Sequence, residues 1–413
     1  MTKAEFYREA QPASVGPLEG IVVLEACTTY AGPVAGAELA DMGAEVIKCE
    51  LPETGDVCRL FGPWVPNAPE QDKGAPFLSI NRNKKAITLN FHHERGQEIF
   101  RQLARRADVV LQNFRPGALD KWNIGYEAIR AVKPDIVYVS ISCLGQWGPL
   151  SHKVGYDTDA QAMGGIMSIT GQADGPPTKT GHASIDYLSG VKAAQAALAA
   201  LVRRLRTGEG QHVDLSMVDC ALSVTEGGIM QAATCGTVWQ RKGNRHPSTA
   251  PCNSFLCLDG YVMLAVAHDK QWQSFCKLMG REDLMTDPRT AIGAARKANE
   301  VFIEQIIAEW TSTQTKADVV SALNAASIAV SPVLDFGEIV REPHFREREI
   351  VCEVEHPTAG KLTHYGVAPK FSRTPAVVRS SAPLLGQHNA EIYGEWLGYG
   401  AATLATLRGE GVI

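Results

Sequence analysis

Short Val- and Ile-rich runs alternate with helix-patterned stretches through the first half of the chain, and this alternation constrains the fold most. Residues 20–27 (Gly-Ile-Val-Val-Leu-Glu-Ala-Cys) and 44–50 (Ala-Glu-Val-Ile-Lys-Cys-Glu) read as strands. Between them a helix is expected to about Met42, with Pro33 in its first turn, where a missing N–H costs nothing. The pattern recurs with a strand over 85–91, a helix over 94–107 placing Ile99, Phe100 and Leu103 on the sheet, and strands over 108–114 and 135–142. Such runs suit parallel strands covered on both faces. The expected fold class is α/β: a Rossmann-like, doubly wound parallel sheet with right-handed crossovers. No Gly-x-Gly-x-x-Gly follows the first strand and no Gly-Lys-Ser/Thr occurs, so neither a dinucleotide nor a nucleotide triphosphate is implied.

Further on, Leu188 to Arg206 is strongly helical, with Val191, Ala194, Ala197, Leu198, Leu201 and Leu205 on one face and Thr207-Gly208-Glu209-Gly210 as its stop. A strand is expected over 213–217, a Gly/Pro/Asn-rich linker over about 243–253, and a hairpin over 254–267 turning at Asp259-Gly260. Helices follow to Leu323. The domain plan is a large domain over 1–220, a linker over 221–253, a smaller α+β domain over 254–340, and a return to the large domain over 341–413.

The net charge of −5 gives no reason to expect nucleic acid as the main partner. No uninterrupted apolar run reaches the roughly 20 residues that span a bilayer, and the polar first 17 residues do not resemble a signal peptide. A cytoplasmic protein without a membrane partner is expected. The ten cysteines include no Cys-x-x-Cys pair, so neither a metal site nor a disulfide framework is predicted.

Asp186 stands in Gly-His-Ala-Ser-Ile-Asp-Tyr-Leu-Ser-Gly, directly before the long helix. An Asp there has two readings. It caps the helix, or it is an acyl-accepting nucleophile kept ionised at neutral pH by the unpaired N–H groups of the helix mouth.

In order along the chain stand Ala31-Gly32-Pro33, Ala44-Glu45-Val46-Ile47-Lys48, Asn81-Arg82-Asn83-Lys84-Lys85 and Asn113-Phe114-Arg115-Pro116-Gly117. Gly155-Tyr156-Asp157 with Gln161-Ala162, Asp186, Thr207-Gly208-Glu209-Gly210-Gln211, Leu385-Gly386-Gln387-His388-Asn389 and Leu397-Gly398-Tyr399 follow. This series resembles the class III CoA-transferases, the group of formyl-CoA and carnitine CoA-transferases, over nearly the whole chain. The resemblance implies an interlocked dimer of ring-like chains. A non-catalytic, CoA-binding or structural partner subunit of a hetero-oligomer is a rival of another class; loss of Asp186 would be its signature, and Asp186 is present. The resemblance places the nucleophile on Asp186, with aspartyl anhydrides and an aspartyl-CoA thioester as intermediates and backbone N–H groups near the helix mouth stabilising the oxyanions. The substrates implied are an acyl-CoA, with succinyl-CoA as a candidate donor, and a carboxylic acid acceptor. No tightly bound cofactor is implied.

CoA contacts are implied at Tyr30, Ala31, Leu89, Asn90, Asn113, Phe114, Arg115, Lys121, Tyr156 and Asp157. Arg115 and Lys121 suit phosphates, though both types are also common solvated surface cations. Where many members of the group carry an Arg after the Ile-Lys-x-Glu string, this chain has Leu51, so a phosphate or adenine contact is either lost or supplied by Lys48, Arg82 or Lys84. The glycine-rich acyl lid of formyl-CoA transferases is matched by His246-Pro247-Ser248-Thr249-Ala250-Pro251, with His246 either contacting a substrate carboxylate or solvated. The related 2-methylacyl-CoA racemases share the fold but place a His where this chain has Tyr156. A Tyr with an ordinary pKa of about 10 is a poor base at neutral pH, which counts against racemisation. A nicotinamide oxidoreductase is disfavoured by the missing glycine fingerprint.

Overall fold

The computed structural model describes all 413 residues. The chain divides into two units: Met1–Ile166, Lys179–Ile229 and Pro343–Ile413 form one, and Met167–Thr178 with Met230–Glu342 form the other. The division thus falls near 166–178, 229 and 342, and the stretch expected as a linker over 221–253 belongs mostly to the second unit. Arg245 shows why. Its guanidinium pairs with Glu304 at 2.6 Å, anchoring the Gly-rich segment.

The first unit is an α/β sheet of six parallel strands. In chain order it contains β1 (Val22–Ala26), helix α1 (Ala31–Asp41), β2 (Glu45–Glu50), β3 (Lys85–Thr88), α2 (Glu94–Ala104), β4 (Val109–Gln112) and β5 (Val137–Ser142). Then come α3 (Asp157–Met163), α4 (Ser184–Thr207) and β6 (Gln211–Ser216). The spatial order is β3-β2-β1-β4-β5-β6. Alternate strand residues feed two cores, as the period of two requires. Val23, Val46, Val109 and Val137 pack with Ala35 and Leu39 of α1 and Ala193 and Ala197 of α4. Leu24, Ile47 and Val110 pack on the other face with Ile99, Phe100 and Leu103 of α2 and with Ile392 and Tyr393 of the helix Asn389–Leu397.

Several elements differ in their bounds from what the apolar runs suggested. The strand expected over 85–91 ends at Thr88, where Asn389 Oδ1 accepts the Thr88 N–H and Asn389 Nδ2 donates to Thr88 Oγ1. Helix α4 begins at Ser184 rather than Leu188, which puts Asp186 inside its first turn. The helix is 24 residues long and apolar enough for a membrane span by length and composition, but Ile185, Ser189, Gly190, Ala193 and Ala197 are buried within the unit. Gly190 lets it approach α1: a Cβ there would lie 2.5 Å from Val34 Cγ1 and 2.8 Å from the Ala31 carbonyl.

The second unit holds the antiparallel hairpin Cys252–Cys257 and Gly260–Ala265, with Ala329–Pro332 added as a third strand. Helices Asp269–Leu278, Glu300–Thr311 and Lys316–Ala325 cover it through Trp272, Phe275, Ile303, Ile307, Val319 and Leu323. The third strand was not signalled, because Ala-Val-Ser-Pro is too short and mixed to read as one.

Candidate active site

In this strand order the chain passes from β1 outward to β3 and then crosses back to β4 on the other side of β1. The loops leaving β1 and β4 therefore diverge and open a crevice at the carboxyl ends of the strands. A cavity of about 740 Å³ lies there, lined by Thr28–Ala31 after β1, Asn113–Pro116 after β4 and Ser142–Leu144 after β5. Gly155–Thr158, Lys179, His182, Ala183 and Asp186 also stand on its wall.

The β1 loop is held from two sides. Asn113 accepts the Thr28 N–H at 2.9 Å and returns a 2.7 Å bond to the Thr28 carbonyl. Asp56 Oδ1 accepts from Thr28 Oγ1 at 3.0 Å and from Thr29 N–H at 3.1 Å. Thr29 sits at φ +64°, a costly conformation for a β-branched residue. Asp56 is itself fixed by buried Lys48 at 2.9 Å, and Lys48 also binds Glu25 and the Cys27 carbonyl.

Those contacts overturn the expectation that Lys48, Arg82 or Lys84 replaces an Arg at position 51. Lys48 and Lys84 share Glu25 and are fully buried, and Arg82 is committed to Asp41 at 2.5 Å. Each is paired beneath the surface, with no guanidinium or ammonium left for a phosphate.

The cavity gathers Tyr30, Ala31, Asn113, Phe114, Arg115, Tyr156, Asp157 and Asp186. It does not include Leu89, which is wholly buried, Asn90, whose side chain donates to the Gly411 carbonyl, or exposed Lys121 on the turn Ala118–Lys121. It adds Lys153 and Lys179, which lay outside every recognisable string, and His182, which stands in the Asp186 string but carried no role there. None of the three cations Arg115, Lys153 and Lys179 forms a salt bridge; Lys179 Nζ donates only to the Thr180 carbonyl.

For Asp186 the structure removes the capping reading, and it removes the helix mouth as the reason for ionisation in the other. Asp186 does not cap α4, whose flanking residue is Ala183 with no side-chain cap bond. Nor does the helix mouth serve it. Ser184 N–H donates to the His182 carbonyl at 2.9 Å, while Asp157 Oδ1 accepts from Ile185 N–H at 2.7 Å and Asp186 N–H at 3.2 Å. A distant carboxylate thus takes the donors that were expected to hold Asp186 ionised and to stabilise oxyanions. Burial, then the neighbouring Asp157 charge, push the Asp186 carboxyl up to about 7, against a single backbone N–H from Ala31. That N–H belongs to the start of α1, which has no side-chain cap of its own. The Tyr30 and Tyr187 ring centroids lie 6.4 Å apart, and the His182 ring lies 6.1 Å from that of Tyr187.

A carboxylate beside an uncapped helix start, in a crevice sized for a large ligand and rimmed by unpaired cations, suits acyl transfer from an anionic carrier. Residues 18–389 match the model of CoA-transferase family III. The chain belongs to this family. It is 38% identical over 395 residues to succinyl-CoA:mesaconate CoA-transferase of Haloarcula hispanica, covering 94% of this chain and 98% of that one. It is 34% identical to succinyl-CoA:glutarate CoA-transferase of Mus musculus, over 97% of this chain and 91% of the relative. Formyl-CoA:oxalate CoA-transferase of Streptomyces avermitilis is 38% identical, with 96% and 99% covered. Among solved structures, a CaiB/BaiF family protein from Brucella suis superposes with a TM-score of 0.85 at 34% identity, covering 92% of this chain and 99% of that one. The protein is thus a CoA-transferase, moving coenzyme A from an acyl-CoA to a carboxylic acid.

Proposed function

We propose that the enzyme transfers CoA from succinyl-CoA to a second dicarboxylic acid, with Asp186 as the nucleophile. The observation that carries this is the Asp186 carboxylate on the wall of a cavity that also presents Arg115, Lys153 and Lys179 without acidic partners. A dicarboxylic acyl group leaves one carboxylate free after its other end is joined to CoA, and that charge needs a cation. Thr180 Oγ1 lies 2.6 Å from Ser184 Oγ, so the preceding Lys179 stands beside the first turn of α4 and suits that role. Arg115, after β4, suits the CoA phosphates.

In the proposed sequence, Asp186 attacks the thioester carbonyl, the C–S bond breaks and CoA thiolate leaves, giving a mixed anhydride. The thiolate attacks the aspartyl carbonyl, releasing the donor carboxylate and leaving an aspartyl-CoA thioester. The acceptor carboxylate attacks that thioester, and the returning thiolate takes the acceptor acyl group, which regenerates Asp186. Each step exchanges one acyl oxygen or sulfur bond for another, so neither a metal nor a resident cofactor is required. The Ala31 N–H is the donor placed to stabilise a tetrahedral oxyanion on the aspartyl carbon. A doubly wound sheet and an interlocked dimer belong to the same proposal, supported by the family match and by the six-strand order with helices on both faces.

The test is to incubate the enzyme with a panel of acyl-CoAs, add hydroxylamine and map modified peptides by mass spectrometry. A hydroxamate at position 186 with succinyl-CoA, absent from Asp186→Ala, is expected. Turnover without any adduct, or adducts only with monocarboxylic thioesters, would overturn the nucleophile or the donor assignment respectively.

A further inference from the structure

Gln161 is fully buried, one helical turn after Asp157 on α3, and every polar atom of its amide points at the site. Its Nε2 donates to Asp157 Oδ2 at 2.6 Å and to the His182 carbonyl at 3.4 Å. Its Oε1 accepts from Thr180 N–H at 2.9 Å and Thr180 Oγ1 at 3.2 Å. Asp157 spends its other oxygen on the Ile185 and Asp186 N–H groups. The amide therefore ties the loop before α4 to the carboxylate that closes its mouth.

We propose that Gln161 and Asp157 form a positioning pair that occupies the donors at the start of α4 and so leaves the Asp186 carboxylate poorly solvated, facing the cavity and primed for attack. The inference rests on Asp186 being the nucleophile and assigns roles to two residues that need not touch the reacting atoms. An ordinary N-cap Ser or Thr would satisfy the same helix end. The use of a charged carboxylate held by a buried amide is what the helix end alone does not explain. A second negative charge beside a nucleophilic carboxylate raises the energy of its ionised form, and that energy is released when Asp186 becomes an uncharged ester-like group in the anhydride. The other groups facing Asp186 are Tyr30, Cys58 and Cys143, with the Ala31 N–H, and on the cavity wall Arg115, Lys153, Lys179 and His182. Asp157 is the one other carboxylate among them.

The pair suggests its own test, Asp157→Asn combined with Gln161→Glu. The introduced amide donates to the introduced carboxylate, whose second oxygen still accepts from Thr180, and the new Asn oxygen still accepts the two helix N–H groups. The hydrogen bonds of the pair are kept, apart from the 3.4 Å one to the His182 carbonyl, while the charge moves one helical turn, from position 157 to 161. Proteins labelled with [γ-13C]Asp, read against Asp186→Asn, give the Asp186 titration directly and without turnover. The midpoint near pH 7 in the parent is expected to fall by about one unit in the swap, with the acid limb of kcat/KM moving alongside and KM for the thioester little changed. An unmoved midpoint in a folded swap would overturn the inference. If the swap does not fold, Gln161→Met alone serves, since loosening Asp157 must still move the midpoint if the pair positions it. Normal titration shifts with no acyl adduct on Asp186 would leave the pair standing and remove the nucleophile reading instead.

Discussion

Asp186→Asn is expected to make the protein more stable, and by an amount that grows with pH. The carboxyl titrates near 7 in the folded chain against 3.8 as an ordinary aspartate. Because the folded-state pKa is raised, the folded chain holds this proton more tightly than the unfolded one. The associated stability is fully present below pH 3.8, is lost as pH rises toward 7, and is absent above it. Three units correspond to about 4 kcal/mol, a ceiling that solvent relaxation around a partly accessible carboxylate reduces to about 2–4 kcal/mol at pH 8.5. At pH 5 only about one unit of the difference has accrued, so the gain shrinks to roughly 1–2 kcal/mol. The amide keeps an oxygen for the Ala31 N–H and removes the repulsion with Asp157, so little packing is disturbed. Urea unfolding of parent and variant at the two pH values measures the effect, with the transition of the sheet-containing unit as the readout. A gain equal at both pH values, or a variant less stable than the parent at pH 8.5, would refute the account of Asp186 as a carboxylate ionised at a cost. The expected gain would also show that the Asp186 carboxylate is maintained against stability, as functional groups often are.

Other expectations follow from particular contacts. Lys179→Met should raise KM for dicarboxylic thioesters by about tenfold, the loss of one charge-assisted bond, while a monocarboxylic thioester of similar length is unaffected in steady-state assays. Lys48→Met leaves Glu25 and Asp56 buried without their shared cation, and should cost about 3–5 kcal/mol in denaturant unfolding. Gly190→Ala would drive a Cβ into Val34 and the Ala31 carbonyl, costing about 1–3 kcal/mol and lowering kcat by separating Ala31 from Asp186. His364, buried on the strand Gly360–Tyr365, is pulled down to about 4 by burial and then by Arg82 and His356. With the folded pKa depressed below 6.5, its contribution is present above pH 6.5 and disappears as pH falls through 4, worth about 3 kcal/mol. His364→Phe should flatten that part of the acid-unfolding curve.

Local pattern was enough for most of the sheet: β1 to β5 with α1, α2 and α4 follow from apolar periodicity, because a strand buried on both faces admits few residue types, whereas α3 was not signalled. The Asp259-Gly260 turn was equally plain, since Gly260 takes φ +137°, which few other residues tolerate. Asp186 could be singled out as a carboxylate at the start of a helix. Its state could not, because that depends on Asp157, 29 positions away in the chain. Gln161 and Asp157 stood in one of the strings that carry the resemblance, with Asp157 implied as a CoA contact, but nothing in that string tied either residue to Asp186. Lys48, Arg82 and Lys84 looked like free cations for the same reason: sequence reports a charge but not the Glu25 or Asp41 that neutralises it. What the chain determined by itself was the set of layers and the family of chemistry, both of which rest on short-range patterns. Tertiary structure alone decided which N–H groups Asp186 uses, which cations reach the cavity, and at what pH that carboxyl ionises. Desolvation and pairwise charge act through space, and no spacing along the chain encodes them.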